Sequence, residues 1–363
     1  MGFSLALYPI AYRARYNGGV WSEEYVEQPH MTPAEEAALS AEELGELNAR
    51  RNEFAGVPLV NYTTQYGMGC FEGLKAFPQK GPRIGGEIKL FRPDENAARF
   101  ASSMKGLGMP GFPEEMFVRA CTEVTARNAT LGFRPSYEPE WEQRGFVDAS
   151  AVYLRPFSYA EGGIGVGISE RPSVFIIANP VGSYFKPGSS SAITSGRIRA
   201  TPNGTGWIKC DANYVISALA KKEAESAGYM EVLFLDARDR RYVEEGSSCN
   251  AFFFLKSGEL VTPELGDTVL PGITRKSVIE LARARGVKVS ERRIAIEEVL
   301  ADAKEVFFTG TAAGVTFVES VTHLGRKAVF GDKAGELTAA LGRELKGIQY
   351  GAVADARGWM RKI

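Results

Sequence analysis

Histidine is scarce. His30 and His323 are the two in a chain of 363 residues. That leaves too few imidazoles for a histidine-based metal centre or a Ser-His-Asp triad. The four cysteines, Cys70, Cys121, Cys210 and Cys249, are scattered, with no C-x-x-C pair. They read as reduced thiols of a cytoplasmic protein, not as a disulfide framework. Charge of one sign is missing too: 43 basic against 44 acidic side chains leave a net charge of -1. Neither nucleic acid nor an anionic membrane is favoured by that balance. No apolar run is long enough to span a bilayer. The segment Met1 to Pro9 lacks the basic start and cleavage site of a signal peptide, and Ala6 stands where myristoylation needs Ser or Thr. The expected chemistry is therefore left to lysine, tyrosine, arginine, carboxylates or a bound cofactor, with no metal.

The apolar and charged fractions, 44% and 24%, are those of a globular protein. The length exceeds one ordinary core, so two domains are expected. Thr32-Pro33-Ala34-Glu35 reads as a capping box that starts a charged helix running to about Arg50. Gly67, Gly69 and Gly73 suit an irregular backbone between Asn61 and Phe77, where Tyr66 and Phe71 could serve a core or a pocket wall. A strand at Ile88–Arg92 leads into a helix from Pro93 that carries Arg99 and ends near Gly106, and another helix covers about 114 to 131. In the strand Ala151 to Pro156, Tyr153 and Arg155 are two apart and share a face. A buried strand covers Pro172 to Ala178, and linker composition begins at Lys186. In the second half, Glu231 to Asp236 and Arg241 to Gly246 look like a hairpin pair. Ala251 to Leu255 is an apolar strand, and helices follow from about 270 to Arg285 and from about 333 to 347.

The most informative stretch is Gly206-Trp207-Ile208-Lys209-Cys210-Asp211-Ala212-Asn213-Tyr214, at the mouth of a helix that Gly228 ends. A lysine at a packed junction loses hydration, which lowers its pKa and frees its amine to condense with an aldehyde. Four more pieces suit an anionic, aromatic, carbonyl-bearing ligand. The turn Gly272-Ile273-Thr274 offers free N–H groups at a helix start, a phosphate seat. Arg99 could grip that phosphate through both guanidinium edges. Glu245 could pair with a ring nitrogen. Thr311-Ala312 offers another N–H turn.

In these segments the chain resembles the fold-type IV pyridoxal-phosphate enzymes, and within them the branched-chain amino acid aminotransferases. The blocks are Phe71-Glu72-Gly73-Leu74-Lys75, Phe91-Arg92-Pro93 with Arg99, Tyr153-Leu154-Arg155-Pro156, and Gly182-Ser183-Tyr184-Phe185. They continue with Lys209, Asn213-Tyr214, Glu245-Gly246-Ser247-Ser248-Cys249-Asn250, Leu270-Pro271-Gly272-Ile273-Thr274-Arg275 and Gly310-Thr311-Ala312. The resemblance implies a mixed α/β, two-domain fold: a smaller N-terminal α/β domain (1–186), a linker (187–200) and a larger C-terminal pseudo-barrel domain (201–363). It implies pyridoxal 5'-phosphate as cofactor, with Lys209 as Schiff-base lysine and proton shuttle. Tyr214 would meet the cofactor phenolate and Glu245 the pyridine nitrogen. Arg99, Ile273, Thr274 and Thr311 would hold the phosphate, with Ser248, Asn250, Leu270 and Gly272 also lining the cofactor site. Tyr66, Phe71, Gly73, Tyr153, Arg155 and Tyr184 would shape the substrate pocket, with the N–H groups of Thr311 and Ala312 near the α-carboxylate. The implied reaction moves amino groups between leucine, isoleucine or valine and 2-oxoglutarate, in a cytoplasmic homodimer. Other enzymes of the same fold, a D-amino acid or amine transaminase or an aminodeoxychorismate lyase, are the alternative, and a cofactor-holding protein without turnover is a second.

The chain also departs from the family pattern. Asp211-Ala212 replaces the usual small glycines, which should stiffen the lysine loop. Gln65 replaces a histidine. The acidic helix at 33–50 is longer than usual. Ala313 and Thr316 stand near the place of a redox C-x-x-C in some relatives, so no thiol switch is expected.

Overall fold

The computed structural model describes residues 5–54, 56–82, 86–182 and 190–363. The chain divides into two compact units. The first contains residues 1–184, 210–212 and 348–363, and the second 185–209 and 213–347. This corrects the expected division. The C-terminal residues 348–363 join the first unit, which thereby holds more of the chain than the second. The cause is a strand, Met360–Lys362, that pairs antiparallel with Ile88–Phe91. Residues 190–200, expected as linker, contain the strand Ala192–Thr194, which is hydrogen-bonded on both sides.

The first unit is built on a seven-stranded sheet. Its spatial order is Met360–Lys362, Ile88–Phe91, Leu74–Pro78, Ala151–Glu161, Arg171–Val181, Ile10–Asn17 and Val20–Glu27, with each neighbouring pair antiparallel. The helices Pro93–Gly106 and Glu114–Thr130 bury Phe100, Met104, Phe117, Cys121 and Val124 in one core with Leu74, Ala76, Val152, Leu154, Val174 and Ile176. The long strand Ala151–Glu161 alternates along its length. Val152, Leu154 and Ala160 belong to the core. Tyr153, Arg155 and Phe157 consequently lie on the other face. The sequence reading stopped this strand at Pro156, but it runs five residues further.

The expected charged helix is two helices, Pro33–Ala37 and Ala41–Asn52. Each starts with a complete capping box: Thr32 with Glu35, and Ser40 with Glu43. The second box, unread in the sequence, breaks the helix. Arg51 is buried, pairs with Glu36 and donates to the Leu7 carbonyl at 2.7 Å.

The second unit carries a ten-stranded sheet that branches at Asn250–Leu255. That strand pairs with Ala303–Gly310 and Glu259–Thr262, and meets Val243–Gly246 at Asn250 opposite Glu245. Its apolar side chains bury Ala251, Phe253, Val306, Phe308 and Val321 together. The helix Asn213–Ser226 lays Ala220 and Ala224 on Val232 and Phe234. The helix Ile273–Ala284 is buried along most of its length. No helix among the described residues is long and apolar enough to cross a membrane.

Candidate active site

In the second unit the loop before the helix Asn213–Ser226 is tied by Asn213. Its amide donates to the carbonyls of Thr205 at 2.7 Å and Ile208 at 2.8 Å, and its carbonyl accepts from the Thr205 hydroxyl at 2.8 Å. Gly206 admits no side chain there. A Cβ would stand 2.6 Å from the Ala200 methyl and 2.7 Å from Thr268 Cα. This packing delivers Lys209, whose Nζ donates to the Tyr214 hydroxyl at 2.8 Å. The ammonium lies 5.3 Å from the centre of that ring.

Glu245 is buried on Val243–Gly246. Its Oε1 meets Arg199 Nη2 at 2.8 Å. Its Oε2 accepts from Asn250 Nδ2 at 2.9 Å and from the Leu270 amide at 3.3 Å. Burial raises its pKa, against the opposing charge of Arg199 and the Leu270 N–H. Asn250 also donates to the Leu270 carbonyl at 2.9 Å, so one side chain fixes both Glu245 and the strap before Gly272.

Gly272 caps the helix Ile273–Ala284, and among the described residues no side chain makes a capping hydrogen bond at that end. The first-turn N–H groups there keep the positive end of the helix dipole. A Cβ at Gly272 would fall 1.9 Å from Asn250 Oδ1, so the cradle demands glycine. Ile273 and Thr274 are buried at its floor. Thr311 and Ala312 occupy the turn between Ala303–Gly310 and Gly314–Val318, half-buried, while Ser248 is exposed. An amine, a caged carboxylate and an uncapped helix start fit a ligand with an aldehyde, a basic ring nitrogen and a phosphate.

In the first unit, Arg155 Nη2 donates to the Tyr153 hydroxyl at 2.9 Å, and its guanidinium lies 4.5 Å from the centre of the Phe71 ring. Arg155 Nε is buried with no hydrogen-bond partner among the described residues. A Cβ on Gly73 would stand 2.1 Å from the Tyr153 hydroxyl, so this glycine makes room for that phenol. Tyr66 ends the helix Tyr62–Tyr66, which Gly67 closes at φ 69, and its hydroxyl accepts from the Gly165 amide at 3.1 Å. Gln65 donates to the Asn61 carbonyl at 3.0 Å. Arg99 grips Glu72 in a bidentate pair, Nε to Oε1 at 2.7 Å and Nη2 to Oε2 at 2.9 Å. Its fork is thus engaged by a carboxylate in the first unit, where the sequence reading reserved it for a phosphate. Tyr184 lies outside the described residues.

A profile of the amino-transferase class IV family matches residues 69–321. The chain belongs to that family. The branched-chain-amino-acid aminotransferase of Mycolicibacterium smegmatis is 40% identical over 311 residues, covering 82% of this chain and 80% of that relative. Among solved structures, a branched-chain amino acid aminotransferase from Thermobaculum terrenum in its PLP form gives a TM-score of 0.73 at 25% identity, covering 98% of this chain and 99% of that one. That from Thermoproteus uzoniensis, with norvaline, gives 0.71 at 29% identity, covering 85% and 95%.

Two residues near the expected site residues of this class IV aminotransferase, Arg199 and Asp211, were not singled out from the sequence as candidates. Arg199 lies 46 positions before Glu245, and nothing local announces their pairing. A buried carboxylate requires a cation, but sequence does not say which. Asp211 was noted only as a departure. Its amide donates to the Gly69 carbonyl at 2.9 Å, and the bridge between Cys70 and Cys210 lies beside it. Ala212 packs against Gly67, where a Cβ would meet its methyl at 3.1 Å.

Proposed function

We propose that this aminotransferase exchanges amino groups between branched-chain L-amino acids (leucine, isoleucine, valine) and 2-oxoglutarate, using pyridoxal 5'-phosphate. The observation that carries the reading is the Lys209 amine set on the Tyr214 phenol at 2.8 Å, in the unit that also buries Glu245 against Arg199. The names of the relatives and solved structures point to the same substrates and cofactor.

Lys209 would hold the cofactor aldehyde, and Tyr214 its phenolate side. Gly272, Ile273, Thr274 and Thr311 would seat the phosphate through backbone N–H groups and the Thr hydroxyls, with Leu270, Ser248 and Asn250 around them. A phosphate role for Arg99 requires it to share its fork with Glu72. When bound, the cofactor supplies the electron sink for the pair left at Cα. Once the substrate amine takes its place on the aldehyde, the freed Lys209 Nζ would take the Cα proton, and Tyr214 would orient that amine through their hydrogen bond. Arg199 opposes the burial that favours the neutral acid of Glu245. A negative charge on Glu245 would hold a proton on a ring nitrogen. Thr311 and Ala312 would offer N–H groups to the α-carboxylate. Tyr66, Phe71, Gly73, Tyr153 and Arg155 would receive the substrate side chain, with aromatic surface for an aliphatic branch and a guanidinium for a side-chain carboxylate. The same reading makes the protein a cytoplasmic homodimer acting on small molecules, without a nucleic-acid or membrane partner.

Borohydride reduction followed by peptide mapping tests the amine. The label should fall within Trp207 to Tyr214. Steady-state assays with L-leucine, D-alanine and aminodeoxychorismate then test the substrate. Preference for D-alanine or aminodeoxychorismate would move the activity to another enzyme of this fold.

A further inference from the structure

In the second unit Glu245 has a twin that the proposed chemistry does not use. Glu244 precedes it on the strand Val243–Gly246, so the two side chains stand on opposite faces. Glu245 turns to Arg199 and Asn250, whereas Glu244 lines a cavity of about 310 Å³. Glu244 is only 7% exposed. The Thr268 hydroxyl donates to its carboxyl group, and Oε2 is buried with no hydrogen-bond partner among the described residues. A buried acceptor left without a donor is costly, and a ligand that donates to it removes that penalty.

Both walls of the cavity are fixed by their own hydrogen bonds. On one, the Asp236 carboxylate accepts the backbone N–H groups of Asp239 at 2.8 Å, Arg241 at 3.0 Å and Tyr242 at 2.7 Å. On the other, three donors anchor the strap 263–269. Arg275 Nη2 donates to the Pro263 carbonyl at 2.8 Å, the Trp207 amide to the Asp267 carbonyl at 3.1 Å, and Arg199 Nη1 to the Thr268 carbonyl at 3.0 Å. A wall built beforehand spares a ligand the cost of ordering a loop. The lining carries an excess of negative charge. Asp236, Glu244, Glu264 and Asp267 stand against Arg238 and Arg293. Arg293 is already engaged, over the Tyr242 ring at 3.6 Å and on Asp239 at 3.3 Å, and Arg238 is exposed. Pro263 and Leu265 add apolar wall, and Leu265 keeps 46% of its surface exposed.

We propose that this cavity is a second ligand site, which takes a small alkyl cation with N–H donors, a guanidinium or ammonium ion, its head on Glu244 and its alkyl body against Leu265 and Pro263. A charged N–H donor gives the buried carboxylate both a hydrogen bond and a counter-charge. Among the described residues no cluster of His, Cys, Asp and Glu side chains could hold a metal ion, so the cavity offers charge and hydrogen bonding, not coordination. Burial raises the Glu244 pKa to about 7, so the carboxyl is mostly ionised at pH 8. A neutral molecule of the same shape leaves that charge unmatched. The site is separate from the residues assigned to the substrate and does not depend on which amino acid is transaminated.

The test is calorimetric titration of the holoenzyme at pH 8 and fixed ionic strength with three probes: butylguanidinium, its neutral counterpart butylurea, and methylguanidinium. None of them condenses with an aldehyde as a primary alkylamine does. Butylguanidinium should bind saturably, at one site per chain, and at least about tenfold tighter than butylurea, because hydrogen bonds to charged groups are the stronger ones. Glu244→Gln should weaken butylguanidinium at least about tenfold and leave butylurea unchanged. Leu265→Ser, at an exposed position, should weaken butylguanidinium about fivefold and methylguanidinium hardly at all. That variant keeps the test open if Glu244→Gln does not fold. Absence of saturable binding would mean that the cavity holds only water. Equal affinity for butylguanidinium and butylurea, or binding that survives both substitutions, would put the probe elsewhere. Each of these results would overturn the proposal, whatever the enzyme does with leucine.

Discussion

Gly73→Ala puts one methyl group against the Tyr153 phenol in the first unit. The added Cβ would stand 2.1 Å from the Tyr153 hydroxyl and 2.9 Å from Cζ. The phenol must retreat by about an ångström to reach ordinary contact. It has little freedom to do so, because Tyr153 is buried and its strand is paired on both sides. Leaving its rotamer costs about 0.5–1.5 kcal/mol. Losing the 2.9 Å bond from Arg155 costs about 1.5–3 kcal/mol. Partial relaxation makes about 2–4 kcal/mol the working figure, which is about 5–10 °C in melting temperature for a unit of this size. Arg155 loses its positioning partner as well, so kcat/KM for glutamate should fall about 10- to 100-fold, and more than for leucine. Thermal unfolding and paired steady-state assays measure both effects. A variant with wild-type melting temperature and an unchanged glutamate-to-leucine ratio would refute the reasoning.

Lys209→Ala should abolish transamination, by at least about 10⁴-fold in kcat, and leave no cofactor covalently fixed to the protein after borohydride reduction; surviving turnover would put the reacting amine elsewhere. Glu245→Gln should retain cofactor yet lower kcat by about 10²-fold, as rapid-scan kinetics would show, and full activity would remove the ring-nitrogen role. Gly272→Ala drives a methyl into Asn250 Oδ1 and should weaken cofactor binding at least about tenfold by fluorescence titration; unaltered affinity would mean that the helix start is not the phosphate seat. Glu244 predicts a pH effect on stability. Burial raises its pKa from 4.5 to about 7, with the charge of Glu245 adding to the rise and Thr268 opposing it. The folded state therefore holds this proton more tightly than the unfolded chain does. That stabilisation is complete below about pH 4.5 and is lost as pH climbs through about 7. One oxygen of Glu244 is buried without a hydrogen-bond partner among the described residues, beside a cavity of about 310 Å³ open to water, so about 1–3 kcal/mol is the discounted size. Glu244→Gln should flatten the dependence of melting temperature on pH between 5 and 8, and an unchanged slope would show that Glu244 does not titrate there.

Local chemistry was legible in the sequence, and distant pairing was not. The Lys209 junction, the Gly272 helix start and the shared face of Tyr153 and Arg155 follow from spacing and turn residues, which act over a few positions. The carboxylate of Glu245 could be singled out, whereas its guanidinium partner Arg199 comes from another part of the chain. Arg99 shows the converse. It was chosen for its ability to grip an anion, and it grips Glu72, 27 positions earlier. The split of the acidic helix was present as Ser40 and Glu43, a second capping box overlooked behind the first. The strand at Met360–Lys362 is three residues long and mostly exposed. It carries no periodic signal, so only its partner at Ile88–Phe91 defines it.

That short closing strand bears on how the polypeptide is made. A ribosome releases Ile88–Phe91 long before Met360–Lys362 emerges. For most of synthesis the nascent sheet shows a raw margin of backbone donors and acceptors, open to the same margin on a neighbouring nascent chain. Cutting the gene before codon 360 would leave that margin bare for good. The mark of such a truncation would be clumping during expression, ahead of any defect in chemistry.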